Sequence, residues 1–194
     1  MAIAPSVSNE PDAEELLRSV EEGRFELVDG ELKEKTPMGA EANLLALDLL
    51  FRLTDHARRD RLGLVLGIET GFQIFPHEPR RVRYPDGAFV RAEKLAGQRP
   101  PRGLVKVAPE LVIEVVSPND LAEEVNARLS DYLRAGVPLL WLLYPLTRQA
   151  QVFRADGTAN WIGPDGVLDG EDVLPGFSCS LRELFSVIDP EPTA

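Results

Sequence analysis

PELVIEVVSPNDLAEEVNARLSDYLRAG, residues 109–136, reads as a strand running into a helix, with one carboxylate where an apolar residue belongs. Leu111, Ile113 and Val115 alternate onto one face, and Val112, Glu114 and Val116 onto the other. Almost every residue of the run is apolar, so both faces are expected to be covered, as in a central strand flanked by helices. Glu114 then lies between two valines on a covered face. An ionised carboxylate there is costly unless a cation, a metal ion or hydrogen bonds compensate it. From the strand alone two readings stand side by side: a structural ion pair within a core, and a functional carboxylate.

The residues that follow offer a partner. Ser117-Pro118-Asn119-Asp120 predicts a helix start, with a small polar cap and both Pro and an acid in the first turn. Leu121, Val125, Leu129, Tyr132 and Leu133 form the apolar stripe, and Gly136 fits the C-terminal stop. Arg128 comes three residues after Val125 and four before Tyr132, on the edge of that stripe. It can point toward the sheet that carries Glu114. Alternatively its head is solvated and only its stem lies along the border.

The 194 residues suit a single domain, expected over 12–186, with tails at 1–11 and 187–194. The longest apolar runs are short, such as Leu139-Leu140-Trp141-Leu142-Leu143, so no membrane span is expected. The first residues lack the basic and apolar regions of a secretory signal, which points to the cytoplasm. A single cysteine, Cys179, excludes an internal disulfide and a cysteine-based zinc site, and its expected role is packing. Two histidines, His56 and His77, leave little room for a histidine metal site or a Ser-His-Asp triad, and both read as surface residues. Neither a phosphate-binding G-x-x-x-x-G-K-[ST] loop nor a G-x-G-x-x-G fingerprint occurs. The net charge of −11 argues against general nucleic-acid binding. Its distribution is uneven: residues 1–50 carry −8, residues 51–106 carry +6 and residues 107–194 carry −9. The basic middle either presents a local anion-binding face or is arginines on the outside of one helix and one loop.

Around the central segment the pattern predicts a helix over 12–22 and a hairpin over 25–32 about Asp29-Gly30. A second helix over 41–59 has Leu44, Leu47, Leu50 and Leu53-Thr54 on its buried side. Strands are expected at 64–75, with Gly71 marking a bulge or close approach, and at 139–144. Residues 149–154 should pair with 160–162, a strand interrupted by Pro175-Gly176 should cover 172–179, and a helical turn should close at 181–185. This order predicts an α/β fold. A mixed sheet is flanked by helices, with a parallel crossover from the Glu114 strand to 139–144.

A second carboxylate stands out at the start of the strand after Arg80-Arg81-Val82-Arg83-Tyr84-Pro85. Asp86 shares a face there with Ala88 and Val90. A Pro-Asp pair can be only a turn device. Placed on adjacent strands and the same face, however, Asp86 and Glu114 can hold one Mg²⁺ (or Mn²⁺) and leave positions for water and a phosphate oxygen. Arg128 can stabilise charge developing at phosphorus. That is a phosphodiester-hydrolysis site in outline, although two acids 28 positions apart are by themselves a weak motif.

Several separated motifs occur in a familiar order: Phe25-Glu26-Leu27-Val28-Asp29-Gly30-Glu31-Leu32, Tyr84-Pro85-Asp86-Gly87-Ala88-Phe89-Val90, and Pro109 through Pro118. Asp131-Tyr132-Leu133-Arg134-Ala135-Gly136-Val137, Val173-Leu174-Pro175-Gly176-Phe177 and Leu181-Arg182-Glu183-Leu184-Phe185 complete the set. On these residues the sequence resembles the restriction endonuclease domain family of the PD-(D/E)XK nuclease superfamily, a bacterial and cyanobacterial domain of unknown function. The resemblance implies a restriction-endonuclease-like mixed sheet flanked by helices and an Mg²⁺-dependent endonuclease acting on DNA. It also implies catalytic roles for Asp86, Glu114 and Arg128, with Asp86 and Glu114 as the metal ligands. A homodimer or higher homo-oligomer follows by analogy. Three departures matter. Val116 stands where the motif's lysine is expected. The position that takes over the lysine's role, four before the tyrosine, is Arg128, which cannot act as a base near neutral pH. Glu41-Ala42-Asn43 lacks the histidine that relatives often carry. Glu69 is either a third ligand or a solvated residue at a strand end. A reading from a different class follows: a catalytically weakened or inactive, homo-oligomeric binding or scaffold module in which Glu114–Arg128 is a buried ion pair.

Overall fold

β5 (Leu111–Val115) runs through the middle of a six-stranded sheet. On one side it pairs antiparallel with β4 (Gly87–Arg91), which pairs antiparallel with β3 (Gly63–Gly67). On the other it pairs parallel with β6 (Leu139–Tyr144), followed by antiparallel β7 (Gln149–Arg154) and β8 (Ala159–Ile162). The computed structural model describes residues 13–18, 25–34, 37–75, 77–95 and 99–189. The expected tail at 1–11, most of the one at 187–194 and the end of the helix expected over 12–22 lie outside them.

Both faces of β5 are covered, as its apolar alternation requires. Leu111, Ile113 and Val115 pack under α2 (Ala40–Arg59), while Val112 packs under α3 (Ala122–Arg134) with Val125, Leu129 and Tyr132. α3 is the crossover that makes β5 and β6 parallel. It stops where expected, with Gly136 at φ 83. Its start is later than the sequence suggests. Residues 117–120 form a separate turn in which the Asp120 backbone N–H donates to the Ser117 carbonyl at 3.0 Å. Leu121, expected in the buried stripe, is the N-cap and is 63% exposed.

α2 buries a different face from the one expected. Leu50 and Leu53 are inside, but Leu44 and Leu47 point outward beside exposed Phe51, and Leu45 and Leu49 take the core. Six leucines surround this helix, so periodicity admits two stripes. The choice is made by Ala42, Ala46 and Ala57, which share the buried face and let the helix approach the sheet. There Leu50 packs against Gly67 and Gly87.

The hairpin of β1 (Phe25–Val28) and β2 (Glu31–Glu34) turns through Asp29 (φ 55) and Gly30 (φ 83), both left-handed as a two-residue loop requires. α1 (Ala13–Arg18) precedes it. The strand expected over 64–75 ends at Gly67, because the chain turns at Glu69 (φ 74) and returns only for isolated bridges from Phe72 to Arg83 and Val105. Gly71 is a close-approach glycine: a Cβ there would lie 2.5 Å from Leu104. The strand expected over 172–179 is instead two short strands, β9 (Val167–Asp169) and β10 (Ser178–Ser180), with turns between. α4 (Leu181–Phe185) closes the core, its first turn held by the Ser180 hydroxyl, which accepts from the Glu183 N–H. His56 sits edge-on to Phe177 beside the Pro175 carbonyl, and His77 is exposed, so both are surface residues. Among the described residues no helix is long and apolar enough to cross a membrane.

Candidate active site

The β4–β5 register pairs Gly87 with Ile113 and Ala88 with Val112. Asp86 precedes β4 by one residue, just beyond the last pair of the ladder, which brings it beside the end of β5 that carries Glu114. Both lie on the α3 side of the sheet and both line one cleft of about 330 Å³. Asp86 is 8% exposed and Glu114 4%. Like charges lining one buried cleft are destabilising unless something between or around them compensates.

Part of that compensation comes from the chain itself. Asp86 Oδ2 accepts from the Val115 N–H at 2.8 Å. Glu114 Oε2 accepts from Arg128 Nε at 3.1 Å, and Oε1 accepts from the Tyr132 hydroxyl at 3.0 Å. Arg128 and Tyr132 are four residues apart on α3, so one helix face holds both oxygens of the strand carboxylate. Arg128 Nη2 also reaches Asp120 Oδ1 at 3.3 Å, and Asp120 Oδ2 accepts from the Ser117 N–H at 2.7 Å.

Burial by itself would lower the Arg128 pKa, but Glu114 and Asp120 more than reverse this, and the guanidinium is held charged. Burial, reinforced by Glu114, pushes the Tyr132 phenol well above its ordinary range, so it stays a neutral donor. Tyr84, on the cleft wall, is raised by burial and then by Glu69 and Glu26.

Among the described residues the cleft is lined by seven carboxylates against three cations, Lys33, Arg83 and Arg128. Such a surplus suits a hard cation. No group of three or more His, Cys, Asp or Glu among the described residues is arranged as a metal cage. Mg²⁺ does not need one, being commonly held by one or two carboxylates while keeping several waters. The pair Asp86 and Glu114 fits that ion, and a carboxylate's roughly four lone-pair sites let Glu114 keep its donors while facing it.

The structure thus brings together Asp86, Glu114 and Arg128, with Glu69 on the same cleft wall, in the turn after β3 rather than at a strand end. Sequence reasoning missed four groups. Tyr132 reads as apolar stripe and Asp120 as a helix-start acid, yet both bind the site. Glu26 and Asp131 form a buried ladder with Arg83. Arg83 donates to Glu26 Oε2 at 2.6 Å and to Asp131 Oδ2 from Nε at 2.9 Å and Nη2 at 2.6 Å. Arg81 bonds Asp131 and Asp29. The basic middle is therefore neither an anion-binding face nor an outer surface at these positions. Arg81 and Arg83 are buried and neutralised by acids from the hairpin and α3. The one available signal was the Arg-Val-Arg alternation, which puts two arginines on one side of an extended segment.

The model of one protein family, Uma2, described as "Putative restriction endonuclease", matches residues 13–182. Among solved structures, a putative nuclease belonging to DUF820 from Anabaena variabilis ATCC 29413 aligns with a TM-score of 0.77 at 18% identity. The alignment covers 92% of this chain and 99% of that one. At that identity the likeness is one of fold. No curated protein matches the chain.

Proposed function

The chain belongs to the Uma2 family, and from that premise we propose that it is an Mg²⁺- or Mn²⁺-dependent endonuclease of the PD-(D/E)XK kind, hydrolysing phosphodiester bonds in DNA. The observation that carries the reading is that Asp86, just before β4 and bonded to the Val115 N–H, and Glu114 of β5 line one carboxylate-rich cleft. These two side chains would hold the ion, which when bound supplies Lewis-acid polarisation of a phosphate ester and a more acidic water. Tyr132 keeps Glu114 oriented toward the cleft. Arg128 remains a guanidinium, so its role is to stabilise charge on the phosphate, and it does not abstract a proton.

The test is cleavage of plasmid and single-stranded DNA with Mg²⁺ or Mn²⁺ by the wild type, Asp86→Ala and Glu114→Ala. Cleavage that both substitutions abolish supports the reading. Cleavage that survives either one removes that residue from the site.

One observation favours a second reading, a weakened or inactive nuclease fold serving as a homo-oligomeric binding module. Arg128 and Tyr132 already engage both oxygens of Glu114. A silent wild type that Arg128→Lys makes active marks a disabled enzyme. Silence of both favours the binding module.

A further inference from the structure

We propose that Arg128 is a built-in counter-ion that competes with a divalent cation for Glu114, and that Asp120 is the carboxylate that receives it when the two exchange. The inference rests on the reading of Asp86 and Glu114 as the metal-holding pair.

The geometry is that of a bridge with two separable ends. Nε bonds Glu114 on β5 at 3.1 Å, and Nη2, a different nitrogen, bonds Asp120 in the 117–120 turn at 3.3 Å. A guanidinium presents these donors independently, so it can leave one carboxylate while keeping the other. Asp120 does not depend on Arg128 for its position, because its second oxygen is fixed by the Ser117 N–H. The side chains of Arg128, Glu114 and Asp120 are 15%, 5% and 20% exposed, so solvent screens their charges only in part. A second donor to Glu114, the Tyr132 hydroxyl, is neutral and opposes no cation. Arg83 is pinned elsewhere by Glu26 and Asp131. Among the described residues Arg128 is thus a guanidinium bonded directly to Glu114, and an ion entering between Asp86 and Glu114 meets it at the donor itself. A purely structural ion pair in the same place predicts that loss of Arg128 leaves metal affinity unchanged or lowers it.

The experiment is calorimetric titration of the full chain with MnCl₂, without nucleic acid, for wild type, Arg128→Met, Asp120→Asn, the double variant and Asp86→Ala. Arg128→Met is expected to tighten Mn²⁺ binding about tenfold, within the usual range for coupled ligands. Asp120→Asn is expected to weaken binding while Arg128 is present, because the guanidinium then sits on Glu114 alone, and to have little effect in the Arg128→Met background. Unchanged or weaker binding by Arg128→Met overturns the proposal. An Asp120→Asn effect equal in both backgrounds overturns the role of Asp120, marking it as a direct ligand. If Arg128→Met does not fold, Arg128→Gln decides: it removes the charge while keeping a polar side chain, so tighter binding supports the competition and unchanged or weaker binding overturns it. Mn²⁺ binding lost in Asp86→Ala but not tightened by either Arg128 variant leaves the metal-site reading standing without the competition. An absence of Mn²⁺ binding in wild type and in both Arg128 variants removes both.

Discussion

Tyr132 donates its hydroxyl to Glu114 at 3.0 Å from a position with no solvent exposure. A buried carboxylate that loses a neutral donor is left with an unmet acceptor. Tyr132→Phe keeps the ring and removes only that donor, and should destabilise the fold by about 1.5–3 kcal/mol. A fall in the urea midpoint with an unchanged m-value would show it. The raised phenol pKa makes a second check. The folded chain keeps Tyr132 neutral where an unfolded one ionises, so this contribution is intact below the ordinary tyrosine pKa and is lost as pH rises beyond it. The ultraviolet titration of the native protein should contain one tyrosine that ionises only with unfolding.

Asp131 gathers Arg81, Arg83 and Arg134 at 3% exposure, and Arg83 ties it to Glu26 in the hairpin. Removing one partner of such a ladder strands buried charge. Asp131→Asn is expected to cost about 3–5 kcal/mol, and Arg83→Met a similar amount. In a double-mutant cycle the two losses should fall well short of additive, because they break the same contacts. Additive losses would mean that the two residues act separately.

Cys179 is buried beneath α2, and burial pushes its thiol up to about 11. An aromatic disulfide reagent at pH 8 should leave the native protein almost unlabelled and react fully in denaturant. The sign of the linkage follows from the raised pKa. The unfolded chain ionises near 9.0 while the folded chain holds its proton, so stability from this group is complete below pH 9 and declines toward pH 11. Rapid labelling of the native thiol would contradict the packing role.

What the sequence makes legible here is what has a short period. The alternation of 111–116 exposes Glu114 as the odd residue and shows which side of β5 it faces. The α3 spacing then brings Arg128 to it, and the Pro-Asp start of β4 adds Asp86. Tyr132 and Asp120 sit at visible positions, but their first reading, apolar stripe and helix start, hides the hydroxyl and the second carboxylate oxygen. Glu26, Arg83 and Asp131 are joined over 48 to 57 positions, and no local pattern records such a contact. The buried face of α2 fails for another reason. Its leucines surround the helix, and the alanines that decide the face carry little hydrophobic signal. Strands of three residues such as β9 and β10 are too short to show an alternation at all.

Glu69 combines a left-handed backbone, φ 74, with a side chain on the cleft wall. A non-glycine residue held in that region costs about 1 kcal/mol or more, and such strain collects at sites where a side chain is needed. Backbone and carboxylate can be separated by two substitutions. Glu69→Gly relieves the strain and should raise stability by up to about 1 kcal/mol, partly offset by the freedom that glycine adds to the unfolded chain. Glu69→Gln keeps the strain and removes only the carboxylate charge, so the difference between the two variants isolates the backbone. Mn²⁺ affinity then answers the question left open by the sequence. If the carboxylate is a third ligand, both variants bind the ion more weakly, to the same extent. If it is only a wall residue, neither loses more than the small effect of one distant charge. A Glu69→Gly variant less stable than Glu69→Gln would show that the turn stores no strain.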